Sequence, residues 1–475
     1  MLTIDDLPDD DLLAIFDFYV FRNQYTDILE VALSDRDTTR EIESWQSLVH
    51  VCRRWRGLVF ASSRRLNLRL CYTTSTPARK TLDVWPALPL LFHNDFSETS
   101  VDKVIAELEH RDRIHQMSLR CYTTSQIEKL WTAMQVPFPE LASLSLSYEN
   151  MSYGPVLPDS ILGGSAPRLR FLALNSIPFT VFPKLLLSAT HLVHLWLLNI
   201  PHSGYISPEA MVTSLSMLTN LAQLQLNFES PQSCPDQETR RSPPPTRTVL
   251  PALTSFAFKG VNEYFEELVA RINTPRLIQL WTTFFNDIDF DTPELIQFIT
   301  LTFEAPKDAH VVFDTHTARV NLQRQAPSFA DISVEILCRM PDWQLSSLAQ
   351  IGTSFLLLLS TTESLYIYEH VRSQLDWKDG IENIEWLELL FPFTAVKDLY
   401  LSKQFAPRIA PALQELTGGR KTEVLPMLQN IFLEGFQPSE PVHEGIEQFI
   451  SARRTTNRPV AISIWERDPK SLEVD

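Results

Sequence analysis

Apolar residues return along this chain with two different periods. Near the N-terminus, Leu12, Ile15, Phe16, Tyr19 and Val20 recur at i, i+3, i+4, i+7 and i+8, which predicts an amphipathic helix. Pro8 stands where a first helical turn tolerates a missing N–H, and Asp9, Asp10 and Asp11 suit the positive end of the helix. A second helix is predicted where Trp45, Leu48, Cys52, Trp55 and Leu58 or Val59 share one face, with Arg53, Arg54 and Arg56 turned away from it. Two such helices are too small to bury their stripes alone.

From about residue 110 a different phrase recurs: leucine, two variable positions, leucine, one variable position, leucine. It stands at Leu141-Leu144-Leu146, Leu169-Leu172-Leu174, Leu192-Leu195-Leu197, Leu221-Leu224-Leu226, Leu253-Phe256-Phe258, Val396-Leu399-Leu401 and Leu428-Ile431-Leu433. Weaker copies fill the gaps at Ile114-Met117-Leu119, Leu277-Leu280-Thr282, Asp308-Val311-Phe313, Phe329-Ile332-Val334, Thr362-Leu365-Ile367 and Pro459-Ile462-Ile464. Successive copies start 21 to 34 residues apart, a solenoid period. The last two apolar positions alternate as in a strand with one buried face. Between phrases the period becomes helical, as in Tyr264, Phe265, Leu268, Val269 and Ile272, in Ile409, Ala412, Leu413 and Leu416, and in Val442, Ile446, Phe449 and Ile450. The expected architecture is α/β: parallel strands on a concave face, helices on the convex back, and one continuous core between them.

In such a strand the residue between the last two apolar positions faces away from the core. That position reads Ser145, Ala173, Trp196, Gln225, Ala257, Trp281, Val312, Ser333, Tyr366, Tyr400, Phe432 and Ser463, five of them aromatic. Flanking outward positions add Phe171, His194, Tyr368 and Trp465. Exposed aromatics on a concave surface resemble interface hot spots, so Phe171, His194, Trp196, Trp281, Tyr366, Tyr368, Tyr400, Phe432 and Trp465 form the candidate substrate-binding face. The alternatives are that a loop or the C-terminal tail covers them, or that a one-residue slip puts them in the core.

Composition narrows the class. The chain has 475 residues and a net charge of −17, which disfavours nonspecific binding to nucleic acid or anionic lipid. Charge is uneven: residues 1–43 hold twelve acids and three arginines, net −9, and residues 44–82 hold eight bases and no acid, net +8. Solvated faces that partly neutralise each other explain this; arginines that steer an acidic partner are the sharper reading. Five scattered cysteines without a Cys-x-x-Cys point to reduced thiols. The N-terminus has no secretory signal pattern, and Phe355-Leu356-Leu357-Leu358-Leu359 is far too short to span a bilayer. A soluble protein of the cytoplasm or nucleus is expected.

No catalytic constellation stands out. His191 and His194, three apart on a strand, point to opposite faces and make a poor metal pair. Gly163-Gly164 and Gly418-Gly419 lack a phosphate-loop context and read as turns. No serine sits in a Gly-x-Ser-x-Gly elbow, and Cys52 reads as a small buried thiol on a helix face. No cofactor or metal is expected. Arg240-Arg241-Ser242-Pro243-Pro244-Pro245-Thr246-Arg247 reads as an exposed polyproline loop, with phosphorylation of Ser242 or recognition by a proline-reading domain as the alternative.

The N-terminal pair of helices resembles the F-box, whose pattern is met at Leu7, Pro8, Leu12, Ile15, Phe16, Val51, Cys52, Arg53 and Trp55. As a whole the chain resembles fungal F-box proteins that follow this motif with irregular leucine-rich repeats. It departs in two ways. An acidic insertion at about 22–43 separates Phe16 from Cys52 by roughly twice the usual span. Ile177, Ile200, Val261 and Phe436 stand where the repeats usually have Asn or Cys. The resemblance implies an F-box over 1–66, a connecting or capping segment over 67–112, in which Leu82–Pro89 reads as a helix or a cap, and a leucine-rich-repeat-like solenoid over 113–475. It implies that Leu7, Pro8, Leu12, Ile15, Phe16, Leu48, Val51, Cys52 and Trp55 bind a Skp-type adaptor and through it a cullin. The protein would then be a noncatalytic substrate receptor of a ubiquitin ligase whose repeat face binds a protein substrate, with no nucleic-acid or membrane partner. A scaffold or decoy that binds the adaptor without delivering substrate is the alternative.

Overall fold

The computed structural model describes residues 4, 7–22, 44–72, 85, 87–95, 101–150, 154–179, 184–233, 246–285, 292–324, 331–338, 340–370, 382–416, 424–435, 441–455 and 457–466. Most of the acidic insertion, the Ser242 loop apart from Thr246 and Arg247, Gly418-Gly419, Cys234, Phe329 and Phe436 lie outside the described residues. The chain divides into two compact units, residues 1–206 with 217–221, and residues 207–216 with 222–475.

The first unit begins with three helices, α1 (Asp9–Arg22), α2 (Gln46–Val49) and α3 (Arg53–Ala61). Helix α1 buries Leu12, Leu13, Phe16 and Val20, whereas Ile15 and Tyr19, expected on the same stripe, are exposed. The 3.6-residue period leaves a choice of about one position in where the stripe is centred, and Leu13 takes the place that Ile15 would have had. The second predicted helix is two. Cys52 adopts an extended backbone between them and its Sγ accepts a hydrogen bond from the Trp55 backbone N–H at 3.4 Å, so it caps α3 instead of filling a helix face.

Six parallel strands follow in chain order, β1 (Leu70–Tyr72), β2 (Leu90–Asp95), β3 (Ile114–Cys121), β4 (Ser143–Tyr148), β5 (Phe171–Asn175) and β6 (His194–Ile200). Between them run α4 (Val101–Glu107), α5 (Thr124–Ala133) and α6 (Lys184–Ser188). Helix α5 starts with a reciprocal capping box between Thr123 and Gln126, which satisfies backbone donors that a helix start leaves open. Sheet pairing thus begins at Leu70, inside the segment expected to connect or cap. Of Leu82–Pro89, Trp85 and residues 87–89 are described and are not helical; Trp85 packs its ring edgewise on Trp45 at 5.4 Å. Gly163 has φ +68°, and a Cβ there would lie 2.9 Å from the Pro137 side chain, so this turn requires glycine.

The second unit starts at α7 (Pro208–Leu215) and carries β7 (Gln223–Phe228), β8 (Thr248–Val249), β9 (Ser255–Gly260), β10 (Ile272–Asn273), β11 (Gln279–Phe285), β12 (Asp308–Phe313), β13 (Thr317–Gln323), β14 (Ile332–Leu337), β15 (Ser364–Glu369), β16 (Asp398–Leu401), β17 (Asn430–Glu434) and β18 (Ala461–Trp465). Its other helices are α8 (Asn262–Val269), α9 (Pro293–Thr302), α10 (Pro341–Ser354), α11 (Leu356–Leu359), α12 (Asn383–Leu390), α13 (Ala406–Glu415) and α14 (Pro441–Thr455). The helical-period segments seen in the sequence become α8, α13 and α14, except that Ile272 falls in β10, which pairs only with β8.

Strand order in this unit's main sheet is β7-β9-β11-β14-β13-β12-β15-β16-β17-β18. All pairings are parallel except that β13 runs antiparallel to both β12 and β14. The expected all-parallel arrangement is therefore interrupted by a three-stranded meander whose order is reversed relative to the chain. Strand β13 escaped the sequence pattern because Ala318, Val320 and Leu322 alternate without leucine at the repeat spacing. On one face of the sheet lie the buried residues of the phrases; Phe256 and Phe258 of β9 meet Phe265 of α8 at 5.5 and 4.5 Å. Among the described residues no helix is long and apolar enough to cross a membrane.

Candidate functional site

The N-terminal helices sort the expected adaptor-binding residues into two groups. Leu12, Phe16, Leu48 and Trp55 are buried, and the Phe16 and Trp55 rings meet at 4.7 Å. These four build the module's interior. Pro8, Ile15 and Val51 are exposed, Ile15 by 46% and Val51 by 58%, while Leu7 and Cys52 are half-buried. Phe18 (69%) and Tyr19 (40%) extend the apolar exposure along α1 from Ile15, at i+3 and i+4. Phe18 was not singled out in the sequence because it falls off the predicted stripe. Arg54 turns back onto α1, donating to Asp9 Oδ1 from Nη2 at 2.6 Å and to the Leu7 carbonyl at 2.6 Å, and Arg56 donates to the Val49 carbonyl. Arg53 alone of the three points to solvent without a partner among the described residues.

The predicted open-face positions fall into register. In the first unit Ser145, Ala173 and Trp196 stand opposite one another. Trp196 is half-buried and lies edge-on to Phe171 at 5.1 Å, with His194 on the ring's other flank at 6.0 Å. Phe171 is only 1% exposed, so it is not a contact residue: its two neighbours on β6 cover it. Where the leucine-rich pattern has its asparagine, Ile177 and Ile200 are buried. A short polar chain lies beside them, Asn199 donating to Asn175 at 2.8 Å and Asn175 to Ser147 at 2.9 Å.

In the second unit Gln225, Ala257, Trp281 and Ser333 align, with Trp281 39% exposed, and Tyr366, Tyr400, Phe432 and Ser463 align farther along. The exception is Val312, which is buried and pairs with Tyr368, two residues beyond the expected place. His310 takes the position beside Tyr366. The run Ala309-His310-Val311-Val312-Phe313 is apolar at every residue but one, so alternation there allows a choice of phrase, and the pairing with β15 selects Ala309 and Val311 as its apolar pair.

The result is a continuous stack. His310 lies flat on Tyr366 at 4.4 Å, Tyr366 on Tyr400 at 4.2 Å, and Tyr400 on Phe432 at 4.4 Å, with interplanar angles of 4°, 11° and 7°. Trp465 meets Tyr400 edgewise at 5.6 Å. Tyr368 is 5% exposed, its ring perpendicular to His310 and its hydroxyl 3.4 Å from Nδ1, so it braces His310 from the adjoining row and is not an outward contact. One row earlier, Asp308, Ser364, Asp398 and Asn430 align, and Asn430 donates to Asp398 at 2.7 Å.

Burial pushes the His310 imidazole down to about 4, so it is neutral at pH 7. Burial also raises the Tyr366 and Tyr400 phenols, and it raises the Asp308 carboxyl against the opposing hydrogen bond from Ser364. The stack is thus an uncharged aromatic row beside an acidic one. Its ring faces are taken up by neighbouring rings, so an approaching molecule meets edges and hydroxyls.

Among the described residues no group of three or more His, Cys, Asp or Glu side chains gathers as a metal site. His191 sits before β6 and His194 on it, facing Phe171. Cys52, Cys71, Cys121 and Cys338 are free thiols, and burial pushes Cys121 up to about 12. Neither family models nor curated proteins contain a match to this chain. The fold defines a mixed α/β protein built on mostly parallel strands.

Proposed function

We propose that this protein is a noncatalytic substrate receptor, with an F-box-like N-terminal module that docks a Skp-type adaptor, and through it a cullin, and a leucine-rich-repeat-like array that binds a protein substrate. The observation that carries the reading is the division of labour in the N-terminal module. Leu12, Phe16, Leu48 and Trp55 hold it together, while Pro8, Ile15 and Val51, three residues of the family pattern, are left exposed with Phe18 and Tyr19 beside them. Apolar side chains kept at a small module's surface are costly unless a partner covers them. The array's part is supported by the in-register phrases and by the aromatic stack of Tyr366, Tyr400 and Phe432 on the face opposite the buried residues.

Ile15→Asp with Val51→Asp tests the adaptor half. Both residues are exposed, so the expected result is an unchanged helical signal and melting transition with loss of co-purification of a Skp-family adaptor. Undiminished adaptor capture by this double variant would remove the basis of the proposal.

A further inference from the structure

A cavity of about 540 Å³ opens in the first unit at the ends where the parallel strands begin. It is lined by His115, Glu140, Arg168, Arg170, His191 and Asn220, among others. The strand ladder explains why these residues meet. The Ala142 N–H donates to the His115 carbonyl, the Arg170 N–H to the Ala142 carbonyl, and the Val193 N–H to the Arg170 carbonyl, each at 2.8 Å, which sets residues 115, 142, 170 and 193 side by side. Glu140, Arg168, His191 and Asn220 each directly precede the first leucine of a phrase, at Leu141, Leu169, Leu192 and Leu221. Equivalent positions of successive phrases are brought to one edge by the strand spacing of about 4.8 Å. Two arginines and two histidines are therefore gathered in one hollow of a chain whose net charge is −17.

The charges are not used up internally. Arg168 is ion-paired to Glu140, the single carboxylate of the lining. A guanidinium has five donors in a fixed fork, so one carboxylate leaves others free. The side chains of Arg170 and His191, both exposed, have no hydrogen bond or ion pair among the described residues. Asn220 is anchored by its amide to the Thr190 carbonyl at 2.8 Å, which steadies the rim. Burial, then the charge of Arg69, hold the His115 imidazole below its usual range; Arg168 adds to this and Glu140 opposes it. The volume falls within the range of about 300–1,000 Å³ usual for small-ligand pockets.

We propose that this cavity binds a phosphoryl group, with Arg170 and Arg168 as its cations and the exposed His191 ring as an N–H donor, while the neutral His115, its ring N–H given to the Glu140 backbone carbonyl, forms part of the wall. The paired, planar donors of arginine match a tetrahedral oxyanion better than a point charge does. The phosphoryl group has two sources, a small phosphate compound or a phosphorylated serine or threonine of another protein. This inference is independent of adaptor docking, because it concerns direct binding by the full chain alone.

The test is titration of the full-length protein by calorimetry with inorganic phosphate, with a phosphoserine peptide and with the peptide's unphosphorylated twin, with no adaptor present. Saturable binding of phosphate or the phosphopeptide, but not of the twin, is expected. Tighter binding of the peptide than of inorganic phosphate assigns the protein source, and the reverse assigns the small compound. Arg170→Glu is expected to weaken binding roughly tenfold or more, and Arg170→Lys less, since a charged hydrogen bond is worth about that factor. His191→Gln is a second variant at an exposed position and is expected to weaken it by a smaller factor. All three variants are expected to keep the wild-type melting transition. Absence of saturation, equal binding of the unphosphorylated peptide, or Arg170→Glu and His191→Gln proteins that bind as the wild type does would each overturn the proposal.

Discussion

Tyr366 and Tyr400 stand directly opposite each other on adjacent parallel strands, with ring centroids 4.2 Å apart and planes within 11°. Because Tyr400 also stacks on Phe432, it is the middle ring of the row, and it serves cross-strand pairing as well as surface chemistry. Aromatic pairs of this kind contribute about 0.5–1.5 kcal/mol each beyond burial. Tyr400→Ser, which removes its pairs with Tyr366, Phe432 and Trp465, is expected to lower unfolding free energy by about 1.5–4.5 kcal/mol in denaturant titration while leaving a cooperative transition. Trp196→Ser, on the other unit's open face, is expected to act separately. If these surfaces capture substrate, both variants retain adaptor binding and lose substrate; collapse of soluble expression would instead make the rings core residues.

The interior of the N-terminal module is expected to respond differently from its surface. Trp55→Ala removes the ring against which Phe16 packs and should cost about 3–5 kcal/mol, enough to unfold so small a unit. Far-ultraviolet circular dichroism of the wild type and variant checks this. Asp9→Asn, by contrast, breaks an ion pair between half-exposed groups and is expected to cost less than about 1 kcal/mol.

His310 carries a pH dependence of stability. Its folded-state pKa of about 4 lies below the unfolded value of 6.5, so between these values the unfolded chain binds more protons than the folded one. The contribution is fully present above about pH 6.5 and is lost as pH falls through about 4. At about 1.4 kcal/mol per pH unit it amounts to no more than about 3.5 kcal/mol. His310→Phe keeps a flat ring against Tyr366 but cannot titrate. Its unfolding free energy is expected to fall less steeply than the wild type's between pH 6.5 and 4, and parallel curves would remove His310 from the account.

Cys121 is expected to resist alkylation. It is 1% exposed, and burial pushes its thiol up to about 12, so at pH 8 little thiolate forms and reagents cannot reach it. Peptide mapping after brief iodoacetamide treatment should find Cys121 unmodified in the native protein and modified in denaturant. Cys52 and Cys71, both half-buried, are expected to react first among the described thiols.

Much of this architecture follows from local pattern. Except at β12, alternation at the phrases settled which strand residues face inward, and the open-face row pairs as expected from Tyr366 to Ser463. That works because the side-chain period of a strand is two whatever its neighbours are. The same fact explains what was hidden. A period of two reads identically in parallel and antiparallel strands, so the reversal at β12, β13 and β14 was invisible, and the register of His310 was settled only when Val311 met Ile367.

Exposure divided along the same line. Phe171 and Trp196 both lie on the outward side of their strands, yet one is buried and the other half-exposed, because the Trp196 and His194 rings on β6 lie against Phe171. Ile15 and Phe16 are neighbours in one helical pattern, and contact with Trp55 decided which went inside. The arginine and histidine hollow has residues from five phrases, at equivalent positions some 23 to 29 apart, that no local window relates. The sequence by itself determined the period of each segment and the inward face of most phrases, since these depend on backbone geometry. Partner, direction and gathering in space were decided only by tertiary structure, because they depend on which distant segment each face meets.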